Sequence, residues 1–375
     1  MTRAQADVNL DAIAHNAMRL RSAAPDSRLM AVVKADGYGH GMVPVARAAR
    51  AGGADYLGVA LPEEAVEVRE SGDNGPLLCW LYPPSADLSG LVERRVELSV
   101  NGPEALHQVI AAARTADRPA RIHLKIDTGL GRSGSPMDTW AELVASALGT
   151  QAAGAVEIVG IWSHLASSDE PESPVTDRQV GVFEEALAVA ESQGLVPELR
   201  HLANSGGTLR HPQTHFDMVR CGISVYGLTP GPAIGTSAGL GLIPAMTLTS
   251  EVALVKRVPA AHGVSYGHRY RTRRSTQLAL IPVGYADGLP RSGSNRLPMM
   301  INGERFTVAG TVAMDQVVVD IGDAPVRAGD KVHLFGPGSH GEPTADDWAA
   351  ACATINYEIV TRLGPRTPRR HLGGA

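Results

Sequence analysis

Lysine is scarce in this chain: Lys34, Lys125, Lys256 and Lys331 are all there is, and arginine supplies nearly all the positive charge. Lys34 stands out among them. It follows the apolar run Leu29-Met30-Ala31-Val32-Val33, inside the segment AVVKADGYGHG (31–41). Burial at a strand end disfavours the ammonium form and lowers its pKa. A neutral amine attacks an aldehyde and forms a Schiff base with a carbonyl cofactor. Gly37, Gly39 and Gly41 allow backbone to approach a ligand closely, and Tyr38 brings a hydroxyl that can reach a phosphate. Taken alone, Lys34 reads equally as a side chain snorkelling out of a strand end.

The elements around it give that lysine a place. Candidate strands fall at 29–33, 56–60, 77–82, 97–100, 121–127, 157–162, 199–202 and 216–220. Helical stretches lie between them, such as PVARAARAGG (44–53), PEEAVEVRESG (62–72), PEALHQVIAAARTA (103–116) and DRQVGVFEEALAVAESQG (177–194). The last keeps Val180, Phe183, Ala186, Leu187 and Ala190 on a helical period. Eight strands alternating with helices imply a parallel sheet closed as a (β/α)8 barrel, assigned to residues 1–240. The Pro/Gly-rich stretch 229–245 reads as a linker. Beyond it, the runs 246–258, 277–284, 305–322 and 331–336 suggest a mainly-β domain over 241–375. One helix is expected at 345–363, with Thr344 as N-cap and Asp347 in a capping box.

Active sites of β/α barrels sit at the carboxyl ends of the strands. Here those ends carry Lys34 and Tyr38 after the first strand and Lys125 and Arg132 in LKIDTGLGRSG (124–134). Ser163-His164, HLANSGG (201–207) and Arg220, which opens into CGISVYG (221–227), complete the set. The loops after the seventh and eighth strands are the usual phosphate site of such barrels. They offer Ser205, Gly206, Gly207, Gly222 and Ile223, small residues that present backbone N–H groups. An amine together with a phosphate cradle describes pyridoxal 5′-phosphate.

Other chemistries fit less well. GLGRSG (129–134) and GPGSHG (336–341) match the dinucleotide fingerprint. Among 41 glycines such matches arise by accident, and neither has the strand, helix and acid the fold requires. His211 and His215 lack evident partners, so no metal is expected. A net charge of -5 and 4% aromatic residues argue against nucleic-acid binding. No apolar run reaches the roughly 18 residues of a membrane span. The N-terminal stretch lacks a signal-peptide core, and the three scattered cysteines fit a reducing cytoplasm.

Along essentially its whole length the chain resembles the alanine racemase family, whose members are fold-type III pyridoxal-phosphate enzymes. AVVKADGYGHG is similar to that family's cofactor-lysine motif. DTGLGRSG, HLANSG, FDMVRCGISVYG, VSYGHRY (264–270), VGYADGLPR (283–291), AMDQ (313–316) and INYEIVTR (355–362) resemble further family segments in the same order. The resemblance implies that Lys34 binds the cofactor aldehyde. It implies that Tyr38, Ser205, Gly222, Ile223 and Tyr357 hold the phosphate, with Asn204 beside Ser205. Arg220 would bond the pyridine nitrogen, supported by His164. Arginine does not readily give up a proton, so that nitrogen stays unprotonated. Arg132 and the Met314 backbone would serve the substrate, and Lys125 matches a position carbamylated in many relatives.

Racemisation removes a proton from one face and returns it on the other, which two opposed acid/base groups accomplish. The resemblance gives Lys34 one face and Tyr266 of a partner subunit the other. A free tyrosine titrates near about 10, so it needs positive charge nearby. A homodimer follows, with Tyr266, Tyr285, Met314 and Asp315 completing the neighbour's site. Asp36 and Gly37 stand where many relatives have Asn and Ala, and Ala313 replaces a common cysteine. The activity implied is interconversion of L- and D-alanine for peptidoglycan. Racemisation of serine or another small amino acid, amino-acid decarboxylation and a non-catalytic cofactor carrier stay open from the sequence, as does a role in inhibitor resistance.

Overall fold

The computed structural model describes residues 3–374, which divide into two compact units. The N-terminal strand β1 (Ala4–Asn9) belongs to the second of them.

The first unit spans Ile13–Gly37 and Met42–Leu242. Its strands are β2 (Arg28–Val32), β3 (Tyr56–Val59), β4 (Leu77–Cys79), β5 (Glu97–Val100), β6 (Ala120–Lys125), β7 (Val156–Trp162), β8 (Leu199–His201) and β9 (Met218–Cys221). Neighbours run parallel in the order β8-β7-β6-β5-β4-β3-β2-β9. β2 pairs with both β3 and β9, for example Ala31 with Leu57 and Met30 with Arg220. Between β8 and β9 the Asp217 amide donates to the Arg200 carbonyl (3.0 Å) and the Arg220 amide to the Ala203 carbonyl (3.0 Å), so the barrel is nearly closed. The expected barrel is therefore present, with all eight strands near their anticipated positions. Strands such as Tyr56–Val59 and Leu77–Cys79 are buried at every residue, because crossover helices cover the faces of a parallel sheet. In the helix Val175–Ser192, Val180, Phe183, Ala186 and Ala190 are buried, on the period read from the sequence.

Among the described residues, the second unit comprises 3–12, 38–41 and 243–374. Its larger sheet adds β10 (Met246–Glu251), β15 (Pro298–Ile301), β16 (Glu304–Thr307), β18 (Lys331–Phe335) and β19 (Arg369–Leu372) to β1, in the order β16-β15-β18-β10-β1-β19. The barrel assignment began at residue 1, but β1 pairs antiparallel with β10 and parallel with β19. Its alternating Ala4, Ala6 and Val8 are buried there. A second sheet orders β11 (Leu254–Val258), β14 (Thr276–Ile281) and β17 (Val317–Gly322). Between them lies a two-stranded ribbon of β12 (Gly263–Val264) and β13 (Tyr270–Arg271).

Three long runs break where the backbone changes partners. The run 246–258 splits because the Val252 amide donates to Asp330 O (2.9 Å) while the Ala253 amide donates to Leu280 O (2.8 Å), moving the chain between sheets. The run 305–322 opens into a loop that carries Ala313 and Met314. The helix expected at 345–363 is two, Ala345–Cys352 and Asn356–Thr361. Ala353 adopts a left-handed φ of 54° and the Thr354 amide returns to Ala349 O (3.0 Å), which ends the first helix. The capping box is as expected: Thr344 Oγ1 accepts from the Asp347 amide, and Asp347 Oδ2 from the Thr344 amide, both at 3.0 Å.

Candidate active site

Lys34 emerges two residues after β2, and the backbone that follows it is left-handed. Ala35, Asp36, Gly37 and Tyr38 have φ of 54, 52, 59 and 51°. Each non-glycine residue in that conformation costs roughly 1–2 kcal/mol, so the turn persists only where its surroundings determine it. Asp36 Oδ1 accepts from the Met42 amide (2.9 Å), and the Gly37 amide reaches Val33 O (2.9 Å). Glu64 supplies the main anchor. Its Oε1 accepts from the Ala35 amide (2.7 Å), while Oε2 accepts from the amides of Ala60 (2.9 Å) and Leu61 (3.0 Å). Sequence reasoning missed Glu64. Its position at the start of the helix after Pro62 was the available signal, but nothing local ties it to Lys34.

The Lys34 amine lies 5.9 Å from the Trp80 ring centre. Desolvation, reinforced by the charge of Arg132, holds its pKa below the ordinary lysine value. Lys125 is buried; desolvation followed by Arg220 and Arg132 brings it down to about 8. Its Nζ donates to Ser133 Oγ (2.6 Å) and sits 4.4 Å from the centre of Trp162. Asp127 does not pair with it through a hydrogen bond; its carboxylate instead accepts from the amides of Gly129 and Gly131. Four cations, Lys34, Lys125, Arg132 and Arg220, thus influence one another at the carboxyl end of the barrel. Such a field favours an anionic ligand.

Arg220 is 4% exposed, and burial lowers its guanidinium to about 9. It donates through Nη2 to Ser163 O (2.6 Å) and Leu202 O (3.1 Å) and lies 4.9 Å from the Trp162 ring centre. Nη2 is also 3.4 Å from His164 Nδ1. Arginine has only donors, so that nitrogen accepts and the His164 proton is on Nε2. Desolvation, then the Arg220 charge, push His164 well below the usual histidine range and keep it neutral.

Ser205 is buried and accepts on Oγ from the Gly222 amide (3.1 Å) and the Ser224 amide (3.5 Å). This draws Ser205, Gly222 and Ile223 into one pocket of small groups and backbone N–H donors. Asn204 works beside it. Its side-chain oxygen caps the helix Ser205–Arg210 by accepting from the Gly207 amide (3.0 Å) and also accepts from Ser168 Oγ (2.6 Å).

The remaining sequence-derived residues belong to the second unit. Tyr38 and Tyr357 approach with ring centres 6.2 Å apart. Tyr266, 71% exposed, follows Ser265, whose φ is 58°. Ser265 Oγ donates to Thr311 O (2.6 Å) and Thr311 Oγ1 to Tyr266 O (2.9 Å), fixing the turn beneath the exposed ring. The Ala313-Met314 loop is clamped by the amides of Tyr285 and Ala286, each 3.0 Å from its carbonyl acceptor. A Cβ on Gly284 would stand 2.3 Å from the carbonyl oxygens of both Ala313 and Met314, so only glycine admits this approach. Tyr285 and Met314 are exposed, and Asp315 pairs with Arg366 (2.6 Å).

The family models for the alanine racemase N-terminal and C-terminal domains match residues 8–230 and 245–371. The chain belongs to the alanine racemase family. It is 53% identical over 370 residues to the alanine racemase of Frankia casuarinae, covering 99% of this chain and 96% of that one. It is 50% identical to that of Thermobifida fusca, covering 99% and 98%. Among solved structures, the alanine racemase from D-cycloserine producing Streptomyces lavendulae superposes with a TM-score of 0.99 at 53% identity, covering 100% of this chain and 98% of that chain. The enzyme from Streptomyces coelicolor A3(2) does so at 0.97 and 50%, covering 99% and 98%. The barrel residues fit this family's cofactor chemistry: an amine whose pKa is lowered by desolvation for an aldehyde, a serine–amide pocket for a phosphate, and a buried guanidinium for a ring nitrogen.

Proposed function

We propose that this chain works as a shared-site homodimer whose catalytic groups are Lys34 and the partner subunit's Tyr266. It is a pyridoxal-phosphate-dependent alanine racemase that interconverts L- and D-alanine and supplies D-alanine for peptidoglycan. The observation that carries the reading is the desolvated Lys34 amine, set on a strained left-handed turn inside a cationic barrel mouth, in a chain of this family.

Bound there, pyridoxal phosphate supplies the electron sink that acidifies the Cα–H of an amino acid. Lys34 holds the cofactor and moves a proton at Nζ on one face. Tyr266 of the partner subunit moves a proton at its phenol oxygen on the other. Its exposure and the rigid turn beneath it support that role. Ser205 Oγ, the amides of Gly222 and Ile223, and the hydroxyls of Tyr38 and Tyr357 hold the phosphate, with Asn204 fixing the loop that carries Ser205. Arg220 donates to the ring nitrogen without surrendering its own proton, and His164 braces it. Arg132 receives the substrate carboxylate, aided by the Met314 backbone. The partner subunit's Tyr285 and Asp315 line the approach. Lys125, brought down to about 8, has free amine available for carbamylation, and the resulting anion orients Arg132.

Among the described residues no helix is long and apolar enough to cross a membrane. We place the enzyme in the cytoplasm, a reading supported by its three free, buried cysteines.

Chiral analysis of L-alanine after incubation with the protein and pyridoxal phosphate, with L-serine in parallel, tests the reading. D-alanine approaching equal enantiomers, and forming faster than D-serine, is expected. Cofactor-bound protein that yields no D-alanine would overturn it.

A further inference from the structure

The interior of the barrel carries a polar chain that the reaction described above does not use. Glu97 on β5, His123 on β6 and His201 on β8 are exposed by 3% or less. His123 Nε2 is 2.7 Å from Glu97 Oε2, and His123 Nδ1 is 2.9 Å from His201 Nε2. His201 Nδ1 is 3.4 Å from Arg220 Nη1. At the far end Arg121 donates to Glu97 Oε1 (2.9 Å). The ring of His201 stacks on Trp162, with centres 5.6 Å apart and planes inclined by 2°.

The proton positions follow from the ends inward. Arg220 only donates, so His201 Nδ1 accepts. Desolvation, then His123 and Arg220, hold His201 well below the usual histidine range, so it is neutral and its one proton is on Nε2. That proton points at His123 Nδ1, which must accept. The remaining His123 proton is on Nε2 and is given to Glu97. Burial pushes the Glu97 carboxyl up, but His123 and Arg121 outweigh it and leave the group below the ordinary range, hence anionic. Every link therefore donates in one direction, from guanidinium to carboxylate. Reversing either imidazole would set two donors against each other.

Arg220 has no carboxylate partner within ion-pair distance among the described residues. A fully satisfied buried network both rigidifies its members and polarises them in sequence. Gly160 on β7 points to the same design. A Cβ there would stand 2.5 Å from His123 Nδ1, so the missing side chain makes room for the His123–His201 link.

We propose that Glu97, His123 and His201 are positioning residues for racemisation. They form a one-way hydrogen-bond relay that supplies the distant counter-charge of Arg220 and fixes its guanidinium at the cofactor's ring nitrogen. This rests on the racemase reading for its consequence, though not for the direction of the bonds. None of the three touches the reacting atoms; they act through Arg220.

Two measurements test it. The first is 15N NMR of histidine-labelled holoenzyme, with signals assigned from His123→Gln and His201→Gln. Both rings are expected as neutral Nε2–H tautomers. An imidazolium or an Nδ1–H tautomer at either position overturns the relay, and no folded Glu97 variant is needed to learn this. The second compares Glu97→Gln and Gly160→Ala with the parent protein. Glu97→Gln keeps an acceptor for His123 and removes the charge, while Gly160→Ala displaces His123 and crowds the Leu199 carbonyl (2.9 Å) without removing a charge. Each is expected to shift the visible absorbance band of the bound cofactor and lower kcat several-fold with little change in KM. A lower Tm with band and kcat unchanged would reduce the chain to a structural role and overturn the proposal. Correct tautomers in a protein that racemises nothing would instead sink the racemase reading, and with it the assigned consequence.

Discussion

Lys34 and Lys125 share one barrel mouth and one physical cause, desolvation among like charges, yet the chemistry asked of them differs. In the proposed reaction Lys34 bonds the cofactor aldehyde, so Lys34→Ala is expected to abolish both racemisation and the cofactor's visible band. Persistence of either in the purified variant removes it from the centre of the site. Lys125 offers a test through stability. Its folded pKa of about 8 lies below the unfolded value of about 10.4. Between those values the unfolded chain binds the extra proton, so stability rises with pH across that window; it is lost as pH falls through about 8. In carbon-dioxide-free buffer, the Tm of the apoprotein relative to Lys125→Met should therefore climb from roughly pH 8 to 10. A flat difference would show that Lys125 is not desolvated. Adding 13C-labelled bicarbonate to the parent protein should then give a carbamate 13C signal that Lys125→Met lacks.

At the scale of elements, the left-handed turn after Lys34 depends on a residue from the next helix. Glu64 takes three backbone N–H groups, and removing that acceptor set costs about 1–3 kcal/mol by leaving donors unpaired. Glu64→Ala is expected to lower urea stability by that order and to weaken cofactor retention measured by dialysis, while Glu64→Gln, which keeps an acceptor oxygen, weakens it less. Equal retention in all three proteins would mean the turn holds without its anchor. The elements also mark what sequence can disclose. The eight barrel strands were legible because buried parallel strands are continuous apolar runs bounded by helical periods. Lys34, Ser205 and Arg220 were legible because the fold rule assigns chemistry to strand ends. The capping box at Thr344 was legible because it is local. Glu64, Gly160 and the Glu97–His123–His201 chain were not, since their partners come from other strands and helices and no spacing records them. The break at Ala353 was missed for a related reason: alanine carries no sign of the left-handed conformation it adopts there.

At the scale of the whole molecule, the proposed catalytic pair is split between two parts of the chain, with Lys34 after β2 of the barrel and Tyr266 on an exposed turn of the β unit. A tyrosine that is 71% exposed, beside exposed Tyr285 and Met314, has its large apolar surface in water unless another surface covers it. The proposed two-fold dimer, in which each β unit completes the partner's barrel, would cover both patches at once and make two equivalent sites. The consequence is quantitative. Lys34→Ala and Tyr266→Phe homodimers each lack one base in both sites and should be nearly inactive. A heterodimer of the two variants combines both lesions in one site and leaves the other with an intact Lys34 and an intact Tyr266. Since random assembly makes half the dimers mixed, co-expression should restore about one quarter of the parent activity. Purification through two different tags should raise this to about one half. Mixed dimers isolated in this way that stay inactive would mean that Lys34 and Tyr266 serve the same site within one chain. Tyr266→Phe homodimers that bind cofactor and turn over normally would mean instead that Tyr266 is not the second base.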